Sequence, residues 1–164
     1  MRIRPLVLGT AILALAAPTL VGSSAVATPG SGTTVGPPPP FDARLAPVKA
    51  KADGITLRTK DETLVRSFTL TYAPNAYSGW HRHPGIVIAV VTEGAVYRKL
   101  PCQKREKFVA GQAFTEVGTH FVRNVDRRTT GGVSAKLLIT QIVPDETALD
   151  EFRHDVSKPR CSRS

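Results

Sequence analysis

Between Phe41 and Val143 the chain is cut into short apolar runs by turn residues, and that punctuation constrains the fold more than any other feature. Leu64–Tyr72 alternates apolar with small polar residues at period two, the mark of a half-buried strand. Pro74-Asn75 ends it. Ile86–Thr92 is a β-branched run suited to a well-buried strand, Glu93-Gly94 turns the chain, and Ala95–Leu100 returns. Ala110-Gly111-Gln112 makes a further turn before strand-like pieces at 113–117 and 120–125, and Gly131-Gly132 leads into the longest candidate, Val133–Val143. Only Asp145–Val156 reads as a helix, with Leu149, Phe152 and Val156 on one face. Close-spaced strands with almost no helix predict an antiparallel sandwich or barrel. Aromatic residues make up only 6% of the chain, so the core must rest on Val, Leu, Ile and Ala.

The N-terminus reads differently. Arg2 and Arg4 precede an apolar stretch over Pro5–Val21, and Ala25-Val26-Ala27 closes it, the order of a secretory signal peptide over residues 1–27. An uncleaved anchor is the competing reading, against which Pro18 and Gly22 interrupt the span. Residues 28–40, ending in four prolines, predict an extended spacer; residues 41–157 the folded domain; and 158–164 a tail. The formal charge is +9, and cleavage would remove two arginines and no acid, leaving +7. An exported or envelope protein of that charge has little access to nucleic acid and, once cleaved, no stable membrane insertion. Its scattered cations form a solvated surface or steer anionic envelope polymers toward it. The two cysteines, Cys102 and Cys161, then sit where disulfides persist, and a structural bond between them is favoured over two free thiols.

Chemistry gathers on histidine. Of four histidines, His154 stands apart on the expected helix. His81 and His83 are two residues apart, so in extended chain both imidazoles leave the same face and can hold one divalent cation. His120 comes beside them if the later strands fold back antiparallel. Hydrogen-bonding residues of a barrel mouth, with no metal bound, are the alternative reading of the same three side chains.

Asn75–Gly94 (NAYSGWHRHPGIVIAVVTEG) and Gly111–Asn124 (GQAFTEVGTHFVRN) together resemble the two motifs of the cupin family. The first motif there is Gly, five residues, His-x-His, three or four residues, Glu, six residues, Gly; the second ends in His-x-x-x-Asn. The resemblance spans about residues 60–143. It implies a cupin-type jelly-roll β-barrel or sandwich with a short C-terminal helix, and a metal (Fe, Zn, Mn, Ni or Cu) held by His81, His83 and His120. Asn124, Trp80, Tyr97 and Glu116 are then candidates to support those ligands or line a pocket, with Glu116 or Tyr97 able to supply a substitute oxygen. There are departures. Asn75 replaces the first glycine, the acidic ligand position falls on Val87 or Ile88, and the second motif is two residues short and lacks its Pro. Two functions stay open: a metal-dependent enzyme on a small polar substrate, of dioxygenase or isomerase kind, or a non-catalytic module binding a small ligand or metal. Small cupins commonly pair through sheet edges, so a homodimer is a further expectation.

Overall fold

The computed structural model describes residues 32–128, 130–147 and 151–161. The strands are β1 (Thr33–Leu45), β2 (Lys49–Ala52), β3 (Ile55–Arg58), β4 (Thr63–Tyr72), β5 (Tyr77–Arg82) and β6 (Ile86–Glu93). They continue with β7 (Ala95–Lys99), β8 (Glu106–Val109), β9 (Ala113–Glu116), β10 (His120–Asn124), β11 (Ala135–Pro144) and β12 (His154–Asp155). Two antiparallel five-stranded sheets run β1-β4-β11-β6-β9 and β12-β5-β10-β7-β8, with β2-β3 a separate hairpin. Strands β4 to β11 thus form two four-stranded layers in the order of a double-sheet jelly roll, as the resemblance to cupins implies.

Registered rows of apolar side chains close the layers on each other. Leu70, Leu137 and Val91 share one row, and Phe68, Ile139, Ala89 and Phe114 the next. Val96 and Val122 answer them from the opposite sheet. Each fully buried aliphatic side chain contributes about 1.5–3 kcal/mol by leaving water, so these rows define one core.

Two expectations meet a different outcome. The helix over Asp145–Val156 does not form among its described residues: Phe152 is buried, but His154 and Asp155 pair with Arg82 and His81 as β12. Backbone donors and acceptors left open on the edge of β5 provide more hydrogen bonding than an isolated helical turn, which is marginal on its own. The spacer expected over 28–40 enters the sheet at Thr33, opposite Tyr72. The ladder to β4 breaks between Gly36 and Phe41, where four prolines with no N–H to donate occupy the gap. The signal segment and residues 28–31 lie outside the described residues. Among the described residues no helix is long and apolar enough to cross a membrane. Cys102 and Cys161 are joined, with Cα atoms 5.4 Å apart and a separation of 59 positions in sequence.

Candidate metal centre

His81 takes an inward-facing position one residue before the end of β5, and His120 opens β10 directly opposite it in the ladder. The local sequence makes this possible through a bulge. Tyr77 pairs with Arg123 and Trp80 with Phe121, so β5 carries one more residue than its partner there. Gly79 absorbs it at φ +70°, a conformation that glycine alone adopts without penalty. The Ser78 hydroxyl accepts the Val122 N–H at 2.9 Å, satisfying the donor that the bulge leaves without its ladder partner. His83 follows β5, and Gly85 lets the chain turn where a Cβ would stand 2.2 Å from the Ile142 carbonyl oxygen.

Glu116, at the end of β9, completes the cluster. One ligand atom from each of His81, His83, Glu116 and His120 lies within 4.8 Å of the others. His120 Nε2 is 3.0 Å from His81 Nε2 and 3.2 Å from the Glu116 carboxylate, and His83 Nε2 is 3.4 Å from that same oxygen. The far nitrogens are all engaged. His81 Nδ1 faces the Gly79 carbonyl at 3.2 Å, His120 Nδ1 the Gly118 carbonyl at 2.9 Å, and His83 Nδ1 the Phe152 carbonyl at 2.6 Å. A carbonyl only accepts, so each Nδ1 carries a proton and each ring turns its Nε2 to the centre, where it can offer a lone pair to a cation. Lone pairs converging with a carboxylate have no reason to approach unless a cation or shared protons lie among them. Three nitrogens and one oxygen suit a borderline divalent metal, and carbonyl-anchored imidazoles are how such ligands are usually held.

The electrostatics agree. Burial first, then the neighbouring His120 and Arg153, push the His81 imidazolium down to about 2, so this ring is neutral at physiological pH. Burial would raise the Glu116 carboxyl, but with no metal bound, protons shared from the His120 and His83 Nε2 atoms outweigh it and hold the group below the ordinary carboxylate range, a place a cation would take over. Glu116 is therefore a buried anion whose partners are imidazoles. Beside it, burial and the Glu116 charge raise the Tyr72 phenol, which stays protonated.

The remaining sequence candidates go elsewhere. Asn124 is buried, but its Nδ2 lies within 3.1 Å of the Tyr72, Ala73 and Val133 carbonyls and its Oδ1 accepts from the Asp126 N–H. It pins loops at the far end of β10. Trp80 packs on Phe121 and Tyr97 pairs with Arg123, both on the outer face of the sheet. His154, expected on a helix, sits in β12 opposite Arg82. Sequence reading missed Tyr72, Gln141 and Arg153. The Gln141 amide lies 3.3 Å from His83 Nδ1, and Arg153 donates to the Ser78 carbonyl. Alternation along β4 and β11 is the signal that could have found the first two, whereas nothing local marks the segment carrying Phe152 and Arg153 as a strap across β5.

No protein-family model and no curated protein matches the chain. Among solved structures it is similar to oxalate oxidase in complex with glycolate, at 21% identity and a TM-score of 0.39 over 46% of this chain and 40% of that one. It is similar to a cupin superfamily protein of Desulfitobacterium hafniense, at 8% identity and 0.42 over 63% and 78%. A DMSP lyase of Ruegeria pomeroyi aligns at 15% identity and 0.47 over 73% and 52%. The chain spans less than half the length of the oxalate oxidase chains it matches.

Proposed function

We propose that this chain is an exported metalloprotein whose jelly roll holds one divalent ion on His81, His83, His120 and Glu116 and presents it to a small polar ligand. The observation that carries this is the convergence of three Nε2 lone pairs and a carboxylate oxygen, each ring fixed from behind by a carbonyl. A divalent ion in such a set supplies Lewis acidity at its open positions. The protein side is then plain. Three neutral imidazoles and one carboxylate leave a formal charge of +1, which favours an anionic ligand. Val87 and the surrounding aliphatic rows exclude water, and the protonated Tyr72 phenol is a hydrogen-bond donor close to Glu116. Export accords with the signal-like residues 1–27 and with the Cys102–Cys161 bond.

Elemental analysis of protein from its native compartment tests the reading. About one equivalent of a borderline metal is expected, lost in His83→Ala and reduced in Glu116→Gln. Protein that binds none of Zn²⁺, Mn²⁺, Fe²⁺, Ni²⁺ or Cu²⁺ would overturn it. A non-catalytic binding module is the second reading, favoured because no further carboxylate or imidazole among the described residues joins the cluster as a general base. Oxygen uptake by the iron-loaded protein with small thiols, diketones and phenols separates the two. N-terminal sequencing of the exported protein, expected to begin at Thr28, tests the cleavage.

A further inference from the structure

The strand β10 serves two sides. His120, Val122 and Asn124 are buried between the sheets, while Phe121 and Arg123 turn outward. Residues opposite each other in a ladder share a face. Trp80, Phe121 and Lys99 therefore form one outward row, and Tyr77, Arg123, Tyr97 and Lys107 the next. Four of the chain's ten aromatic residues (one Trp, three Tyr, six Phe) stand on this single solvent-facing surface. Tyr77 stacks on Phe121 at 5.9 Å, and Trp80 meets the same ring at 5.7 Å.

A groove of about 680 Å³ lies between Tyr97, Phe121 and the cations Lys99, Lys104, Arg105 and Arg123, and no carboxylate lines it. Five arginines outside the groove, Arg44, Arg66, Arg98, Arg128 and Arg153, each pair with a carboxylate. Among the described residues none of the four groove cations does. Arg105 lies over the Tyr97 ring at 4.6 Å. Arg123 donates to the Asn75 side-chain oxygen at 3.1 Å, and its buried Nε has no partner. Burial, then Arg127 and Arg105, hold the Arg123 guanidinium below its ordinary value, a like-charge crowding that a bound anion would relieve.

We propose that this outer face binds acidic polysaccharide, with sugar rings packed on Tyr97, Phe121 and Trp80 and their carboxylates on Lys99, Lys104, Arg105 and Arg123. Neighbouring strands step the side chains by about 4.8 Å, close to the rise of one pyranose unit along a chain. Single-stranded nucleic acid also pairs stacking with positive charge. The disulfide at Cys102, immediately before Gln103-Lys104-Arg105, favours the polysaccharide, because such bonds persist in compartments where nucleic acid is scarce. The site is independent of the metal centre on the opposite face of β10.

Calorimetry with a short oligogalacturonate at low and high salt tests it, with a neutral glucan and a single-stranded oligonucleotide of equal length as comparators. The oligogalacturonate binds wild type, its affinity falls with salt, and the glucan binds at least about tenfold more weakly. The double variant Lys104→Gln/Arg105→Gln loses about tenfold at low salt and shows a flatter salt dependence. Tyr97→Ala loses about three- to tenfold at both salts, with its thermal midpoint checked for folding. His83→Ala binds oligogalacturonate as wild type does, so failure here is distinguishable from failure of the metal reading. No binding at low salt, affinity unchanged in both groove variants, or tighter binding of the oligonucleotide overturns the proposal.

Discussion

Val87 and Glu116 stand directly opposite each other across the ladder between β6 and β9, both inside, at 0% and 6% exposure. Val87 occupies a position where the cupin motif carries its acidic ligand, so the carboxylate absent from β6 is present one strand away at the same level. Exchanging the pair tests that equivalence. Glu116→Gln is expected to fold and to bind divalent metal about 10- to 100-fold more weakly, a loss typical when a ligating or supporting group is removed. Val87→Glu with Glu116→Val restores most of that affinity, whereas Val87→Glu alone sets two carboxylates together and lowers the thermal midpoint. Metal titration by calorimetry reads all three.

Acid should destabilise the metal-free protein in a defined window. His81 is neutral when folded down to about 2 and has an ordinary value of 6.5 when unfolded. Between those limits the unfolded chain binds more protons, so stability falls as pH drops below about 6.5, by up to about 1.4 kcal/mol per pH unit. Glu116, depressed in the fold, acts in the same direction below its unfolded value of 4.5. Denaturant midpoints measured from pH 7 to pH 4 check the slope, and His81→Gln flattens its upper part.

Asn124 should prove structural. Truncation to Ala strands the Tyr72, Ala73 and Val133 carbonyls and the Asp126 N–H. Unmade buried bonds cost about 1–3 kcal/mol each, so the four stranded groups set an expected loss of at least about 4 kcal/mol. Metal stoichiometry stays unchanged, which equilibrium unfolding and elemental analysis together show.

The disulfide reaches the candidate metal centre through the backbone. Beyond Cys161 going backward, the strap gives Val156 N–H to the Trp80 carbonyl and the Phe152 carbonyl to His83 Nδ1. Replacing both cysteines by Ser removes about 4 kcal/mol of chain constraint for a loop of this size. It also loosens the group that orients His83, so metal binds about tenfold more weakly. Reduction of wild type should reproduce both effects in parallel titrations.

Much of this was legible in the chain. β-branched runs bounded by Gly and Pro placed β4, β6, β7, β9, β10 and β11 to within about two residues at their ends, because burial on one face forces alternation. The three imidazoles followed from spacing and an antiparallel return. The short strands β2, β3, β5 and β8 were not legible there, and three further things lay beyond reach. Prolines and small residues hid β1, whose pairing depends on the distant β4. Leu149, Phe152 and Val156 imitate a helical face, yet the open edge of β5 decides the conformation of Phe152 and its neighbours. Glu116 was one candidate among several until the register set it opposite Val87.

Two residues without side chains settle where protons sit in this centre. Gly79 and Gly118 both adopt φ +70°, and each turns its carbonyl toward the imidazole two positions later. A change there would leave His81, His83, His120 and Glu116 all in place while releasing the tautomers of His81 and His120. Loss of metal could thus be inherited through positions that a search for ligands would never inspect.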